Sequence, residues 1–138
     1  MDNTMLTPVL MLACWSLVMW IALYATRLPA MKQAGLLEGD GVREKSDMDV
    51  LPLSVRQVAD NYNHLHEQPT VFYALAIYTY LVGNTDTVTV YCAWAYVALR
   101  VIHSLFQSTV NYVPVRFMIF ICSSLCLFGI AGQNLLAL

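Results

Sequence analysis

Ten consecutive residues, Asp60-Asn-Tyr-Asn-His-Leu-His-Glu-Gln-Pro69, hold an acid, two asparagines, two histidines and a glutamate. On a helix of 3.6 residues per turn, Arg56, Asp60, Asn63, His64 and Glu67 recur at i, i+4, i+7, i+8 and i+11, which is one face. A second set, Arg100, His103, Gln107 and Asn111, recurs at i, i+3, i+7 and i+11, again one face. Arg116 follows just after a short turn. Carboxylates facing guanidinium groups, with imidazoles and amides between them, can bind a charged small molecule or anchor one helix to another. Two readings follow. The cluster is an ion-pair network that holds the fold together, or it is a ligand site whose mixture of donors exceeds what helix gluing requires. In either case Glu67 is expected to be ionised and paired with a cation, Arg100 being the first choice.

Metal chemistry is the weaker alternative. His64, His66, Glu67 and His103 are suitable ligand types for zinc or iron. On one helix, however, His64 and His66 point about 200° apart and cannot readily chelate one ion. Cys14, Cys92, Cys122 and Cys126 lie in apolar stretches, where a thiol is a small packing residue. Cys122 and Cys126, one turn apart on one helix, are poorly placed for a disulfide.

The elements that must position these residues are helices in a membrane. Of 138 residues, 59 % are hydrophobic and 12 % charged, with a net charge of −2 and a mean hydropathy of +0.59. A soluble domain carries about a quarter charged residues, and seven Lys/Arg with nine Asp/Glu could not cover a soluble surface. Residues 3–26, 68–85, 87–99 and 117–138 contain no charge. Crossing about 30 Å of hydrocarbon takes about 20 residues. The expectation is one domain, residues 1–138, of four transmembrane helices at about 4–27, 58–82, 87–110 and 113–136. Arg100 then lies about 20 Å along its helix, at a depth where a charge must face protein or a water-filled cleft.

Loops and ends fit this scheme. No Lys or Arg precedes the first apolar run, so it reads as a retained helix rather than a secretory signal. Trp15, Trp20 and Tyr24 punctuate that helix, and Arg27 closes it. Arg27 is either a headgroup anchor or a ligand cation reaching a neighbour's cleft. Residues 28–53 form a solvated connector with mixed charges and turn formers and no evident chemistry. Pro69 should kink the second helix, because it cannot donate to the carbonyl of Leu65. Asp86 suits the N-cap of the third helix, and Pro114 the first turn of the fourth. Five of the seven Lys/Arg (Arg27, Lys32, Arg43, Lys45, Arg56) lie in or beside the first loop, and Arg116 lies at the third. By the positive-inside rule these loops are cytoplasmic and both termini lie across the membrane. With a pI near 5.8 and no basic patch, nucleic acid is not a partner.

Glu67, Arg100-x-x-His103 and Pro114-x-Arg116 together resemble the MAPEG superfamily, the membrane-associated proteins in eicosanoid and glutathione metabolism. The runs Asn61-Tyr-Asn-His-Leu-His-Glu-Gln-Pro-Thr-Val-Phe-Tyr-Ala74 and Ala93-Trp-Ala-Tyr-Val-Ala-Leu-Arg-Val-Ile-His-Ser104 are similar to its bacterial branch. The resemblance covers all four spans and is strongest over residues 61–116. It implies an all-α, integral-membrane four-helix bundle that assembles as a homotrimer, here in a bacterial inner membrane, with glutathione bound between subunits. The function implied is a transferase or peroxidase that uses glutathione, or another small thiol, on lipophilic electrophiles. The alternative is a non-enzymatic membrane binding or structural protein that keeps the fold.

By the same resemblance, Arg116 occupies the place of the arginine that stabilises the glutathione thiolate. Glu67 matches a carboxylate that holds the peptide's charged groups, and Arg100 and His103 match a polar pair on the third helix. Asn63, His64, Gln107, Arg56 and Arg27 complete the candidate glutathione-binding set. The chain departs from the pattern at four positions. Asp60 stands where an arginine is usual, His64 where an asparagine is, and Gln107 and Phe120 where tyrosines are. Arg56, one turn from Asp60, is the candidate substitute for the arginine.

Overall fold

Pro69 does more than kink a helix. A computed structural model of the chain, describing residues 5–39 and 44–138, divides the expected second span in two. Its helices are α1 (Leu6–Gln33), α2 (Leu53–His64), α3 (Gln68–Leu81), α4 (Thr87–Ser108) and α5 (Val113–Leu136), with a 3-10 turn over Lys45–Val50. The continuous helix expected over 58–82 is interrupted at residues 65–67. Pro69 has no N–H to bond the Leu65 carbonyl, and Glu67 leaves helical geometry at φ −94°, ψ −96°. The break separates a polar segment from an apolar one. At 14 residues, α3 is only about 21 Å long, short of the roughly 30 Å of hydrocarbon expected for the second span.

The other boundaries differ less. The first helix runs past Arg27 to Gln33 and contains Pro29, which the sequence had suggested for the loop. The expected start of that helix at residue 4, and the loop residues Asp40, Gly41 and Arg43, lie outside the described residues. The fourth span starts and ends where expected, at Val113 and Leu136. Asp86 is the N-cap of α4: its carboxylate accepts from the Thr89 amide at 3.0 Å and also from the Thr89 hydroxyl. These bonds hold the Asp86 carboxyl below its ordinary range.

Among the described residues, α1, α4 and α5 are each long and apolar enough to cross a membrane. They pack with the α2–α3 pair as four columns, α4 contacting α1, α2 and α5 while α3 lies against α5 and α1. Leu12 and Met19 of α1, Val58 of α2, Phe72 and Ala76 of α3, Tyr96 of α4 and Ile130 of α5 meet in the core. The Phe72 and Tyr96 rings stack there at 4.7 Å. Between α4 and α5, Gly129 permits a close approach: a Cβ in its place would meet Cys92 Sγ at 3.2 Å, and the thiol would have to give way by a few tenths of an ångström. Polar distribution is inverted relative to a soluble protein. Leu17, Ile21, Leu125 and Phe128 are exposed, whereas Asn61, Arg100, Ser104, Gln107 and Asn134 are buried. This is the pattern expected when the solvent is lipid and polar groups must find partners inside the bundle.

Candidate functional site

The break between α2 and α3 leaves carbonyls without helical partners, and Arg100 meets one of them. Its Nη2 donates to the His64 carbonyl at 2.9 Å, tying α4 to the end of α2. Local tight turns hold the remaining backbone, with Thr70 Oγ1 donating to the Glu67 carbonyl at 2.6 Å. Only 1 % of Arg100 is exposed. Its Nε and Nη1 are buried without a hydrogen-bond partner, although its guanidinium carbon lies 5.7 Å from the Phe120 ring centroid, within cation–π range.

The expected Glu67–Arg100 ion pair is not formed. Among the described residues, the ion pairs are Arg56–Asp49 and the His64–Glu67 contact at 3.9 Å. The Glu67 side chain is 67 % exposed. The reason lies in the break: with the helix interrupted at residues 65–67, Glu67 lies at the mouth of the cleft while Arg100 bonds the His64 carbonyl at the end of α2. The result is a buried cation with spare donors and an exposed carboxylate at the opening.

These groups line a cleft of about 280 Å³ together with His64, Gln68, His103, Val113, Arg116, Phe117 and Phe120. The His103 ring lies between His64 and Phe120, 6.2 Å from each ring centroid. Arg116 stands in the first turn of α5, at the positive end of that helix's dipole. Its Nη1 donates to Asn111 Oδ1 at 2.7 Å. Asn111 has left the helix, with φ of 51°, so the predicted polar face of α4 ends at Gln107. Left-handed backbone of this kind is tolerated by Asn.

A smaller opening of about 210 Å³ continues the cleft past Asp60, Asn63 and Gln107. There His64 Nδ1 lies 3.1 Å from Gln107 Oε1, and with the amide in this orientation the imidazole is the donor. Behind the site, Ser104 Oγ accepts from Asn61 Nδ2 at 2.7 Å and from Trp15 Nε1 at 2.9 Å, which fixes α1, α2 and α4 together.

The predicted residues thus separate into two groups. Glu67, Arg100, His103, Arg116 and His64 share the main cleft, with Asn63 and Gln107 on its extension. Arg27 and Arg56 line a neighbouring cavity, to which Asn63 also contributes. Gln68, Val113 and Phe117 were not anticipated as lining residues, and Phe120 was singled out only as standing where the family has a tyrosine. Gln68 had a signal, being next to Pro69 at the end of the polar run; its Nε2 donates to Ser124 Oγ at 2.7 Å and secures α3 against α5. Among the described residues no group of three or more His, Cys, Asp or Glu is placed to hold a metal ion.

Compared with protein families, the chain matches the model described as the MAPEG family over residues 5–136. Comparison with curated proteins and with solved structures gives no match.

Proposed function

The chain belongs to the MAPEG family, and from that premise we propose that it is a membrane-bound transferase or peroxidase that uses glutathione, or another small thiol, against lipophilic electrophiles. One observation carries the reading: Arg100 is buried, has two unpartnered donor atoms and has no carboxylate within ion-pair distance among the described residues. An uncompensated buried cation is costly. A ligand anion relieves that cost.

The residues present fit an anionic peptide thiol. Arg100, which lines the cleft, offers its guanidinium charge to a carboxylate, while Glu67 at the mouth orients an ammonium group. Arg116, in the first turn of α5, holds the sulfur. The bound thiol supplies the nucleophile, which is the thiolate, and a nearby guanidinium favours that form. Exposed Val113 and Phe117 form an apolar rim, the side from which a lipophilic partner enters from the bilayer. We extend the proposal to a homotrimer, with a neighbour closing the open side of the cleft, in a bacterial inner membrane with the first and third loops cytoplasmic.

The second reading, a binding protein without thiol chemistry, also has a specific support. Two departures from the family pattern, His64 and Gln107, bond each other rather than facing a ligand freely, and Phe120 supplies no hydroxyl. Conjugation of a generic aryl halide separates the two. The enzyme reading expects thiol-dependent conjugation by the purified protein and a loss of at least about tenfold in Arg116→Ala, that is about 1.4 kcal/mol of transition-state stabilisation. Activity absent from the wild type, or equal in the variant, favours the binding protein.

A further inference from the structure

The cavity that holds Arg27 and Arg56 has a different character from the Arg100 cleft. It measures about 220 Å³ and receives cations from three separate segments: Arg27 from α1, Lys45 from the 3-10 turn and Arg56 from α2. Asp49 and Asp60 also line it, leaving one formal positive charge in excess. Asp49 is already engaged, its Oδ1 lying 3.6 Å from Arg56 Nη1. Arg56 Nε is buried and has no hydrogen-bond partner. A guanidinium that lines the cavity beside two further cations is suited to a tetrahedral oxyanion, which accepts from the planar fork in a bidentate manner.

We propose that this cavity binds a phosphate group at the membrane surface. Its volume is below the roughly 300–1,000 Å³ of sites that enclose a drug-sized molecule, and suits a headgroup fragment. The chemistry is that of a phosphate ester, carried by a phospholipid headgroup or by a free anion. Position favours the lipid. Arg27 lies toward the end of a membrane-spanning helix, where headgroups begin. Met48, Leu51 and Leu53 supply an apolar wall for the glycerol carbons. The cavity adjoins the extension of the cleft, with which it shares Asp60 and Asn63, but Arg100, His103 and Arg116 take no part in it, so the variants below leave the proposed thiol site's cations in place.

Titration of the full-length protein in neutral detergent, followed by thermal shift, tests the assignment with short-chain phosphatidylglycerol, short-chain phosphatidylcholine and inorganic phosphate. The variants are Lys45→Gln, Arg56→Lys and, as a control outside the cavity, Lys32→Gln. Each cation near a charged headgroup contributes about fivefold in affinity. Lys45→Gln should therefore weaken phosphatidylglycerol about fivefold. Arg56→Lys, which keeps the charge but loses the fork, should weaken it by a similar factor, with Lys32→Gln unchanged. Phosphatidylglycerol binding tighter than inorganic phosphate identifies the lipid as the source. Inorganic phosphate binding equally well, with the same dependence on Lys45 and Arg56, identifies a free anion. The proposal is overturned if Lys32→Gln loses as much as Lys45→Gln, if Arg56→Lys is silent, or if phosphatidylcholine binds as tightly as phosphatidylglycerol.

Discussion

Arg100 is buried as its place in the helix suggests, but Glu67 is exposed and the two do not pair. Opposite charges on facing helices predict a buried ion pair, whose disruption typically costs about 3–5 kcal/mol. Glu67 is instead exposed, so Glu67→Gln should change stability in detergent by no more than about 0.5 kcal/mol. Arg100 makes one charge-assisted bond to a backbone carbonyl, worth about 1.5–3 kcal/mol. Against this stands the cost of burying its charge without a carboxylate. Arg100→Met removes both, and the two effects nearly cancel. The expected result is a thermal midpoint close to wild type, measured by circular dichroism in detergent, together with lost thiol binding. Collapse of Arg100→Met with intact binding would instead make Arg100 a structural clamp. The sequence identified Arg100, His103, Glu67 and Arg116 as a site because side chains of those types are costly within a membrane. It could not place Arg27 and Arg56 in a separate cavity, because helical periodicity orders residues around one axis and is silent about how two helices dock.

Among the elements, α5 was fully legible: Pro114 marks its first turn, and no charge interrupts it after Arg116. The α2–α3 break was legible only as a kink. The 3.6-residue period of Arg56, Asp60, Asn63, His64 and Glu67 continues through it on paper, since a three-residue interruption leaves the spacing of the letters unchanged. Pro69 was the visible sign, and the partner for the freed backbone, Arg100, lay 36 residues from His64. Asp86 at the start of α4 yields a pH prediction. Bonds from the Thr89 hydroxyl and amide depress its carboxyl in the folded state. Its contribution is therefore fully present above the unfolded value of about 3.9 and is lost as pH falls through the lower, folded value. Asp86→Asn retains a cap acceptor without that titration. Thermal midpoints compared at neutral pH and near pH 3 should show a smaller acid loss in Asp86→Asn than in wild type; an identical loss would remove Asp86 from the account.

At the scale of the whole molecule, the apolar surfaces of α1 and α5 face outward, while polar groups gather around the α2–α3 break and the neighbouring end of α4. A membrane bundle tolerates such an interior only where the polar groups bond each other or face a cleft. Most do bond each other: Asn134 Nδ2 donates to Thr79 Oγ1 at 2.7 Å, and Ser104 accepts from Asn61 and Trp15. Arg100 is the buried cation left with unused donors in the cleft, beside Arg116, and the proposed thiol chemistry rests on that pairing. The most direct test is the ultraviolet difference spectrum of glutathione bound to the purified protein, because thiolate absorbs where thiol does not. The wild type should show bound thiolate at neutral pH, Arg116→Ala should bind glutathione without the thiolate band, and Arg100→Met should not bind it. A wild-type protein that binds glutathione only as the thiol, or a thiolate band unchanged in Arg116→Ala, would contradict the account.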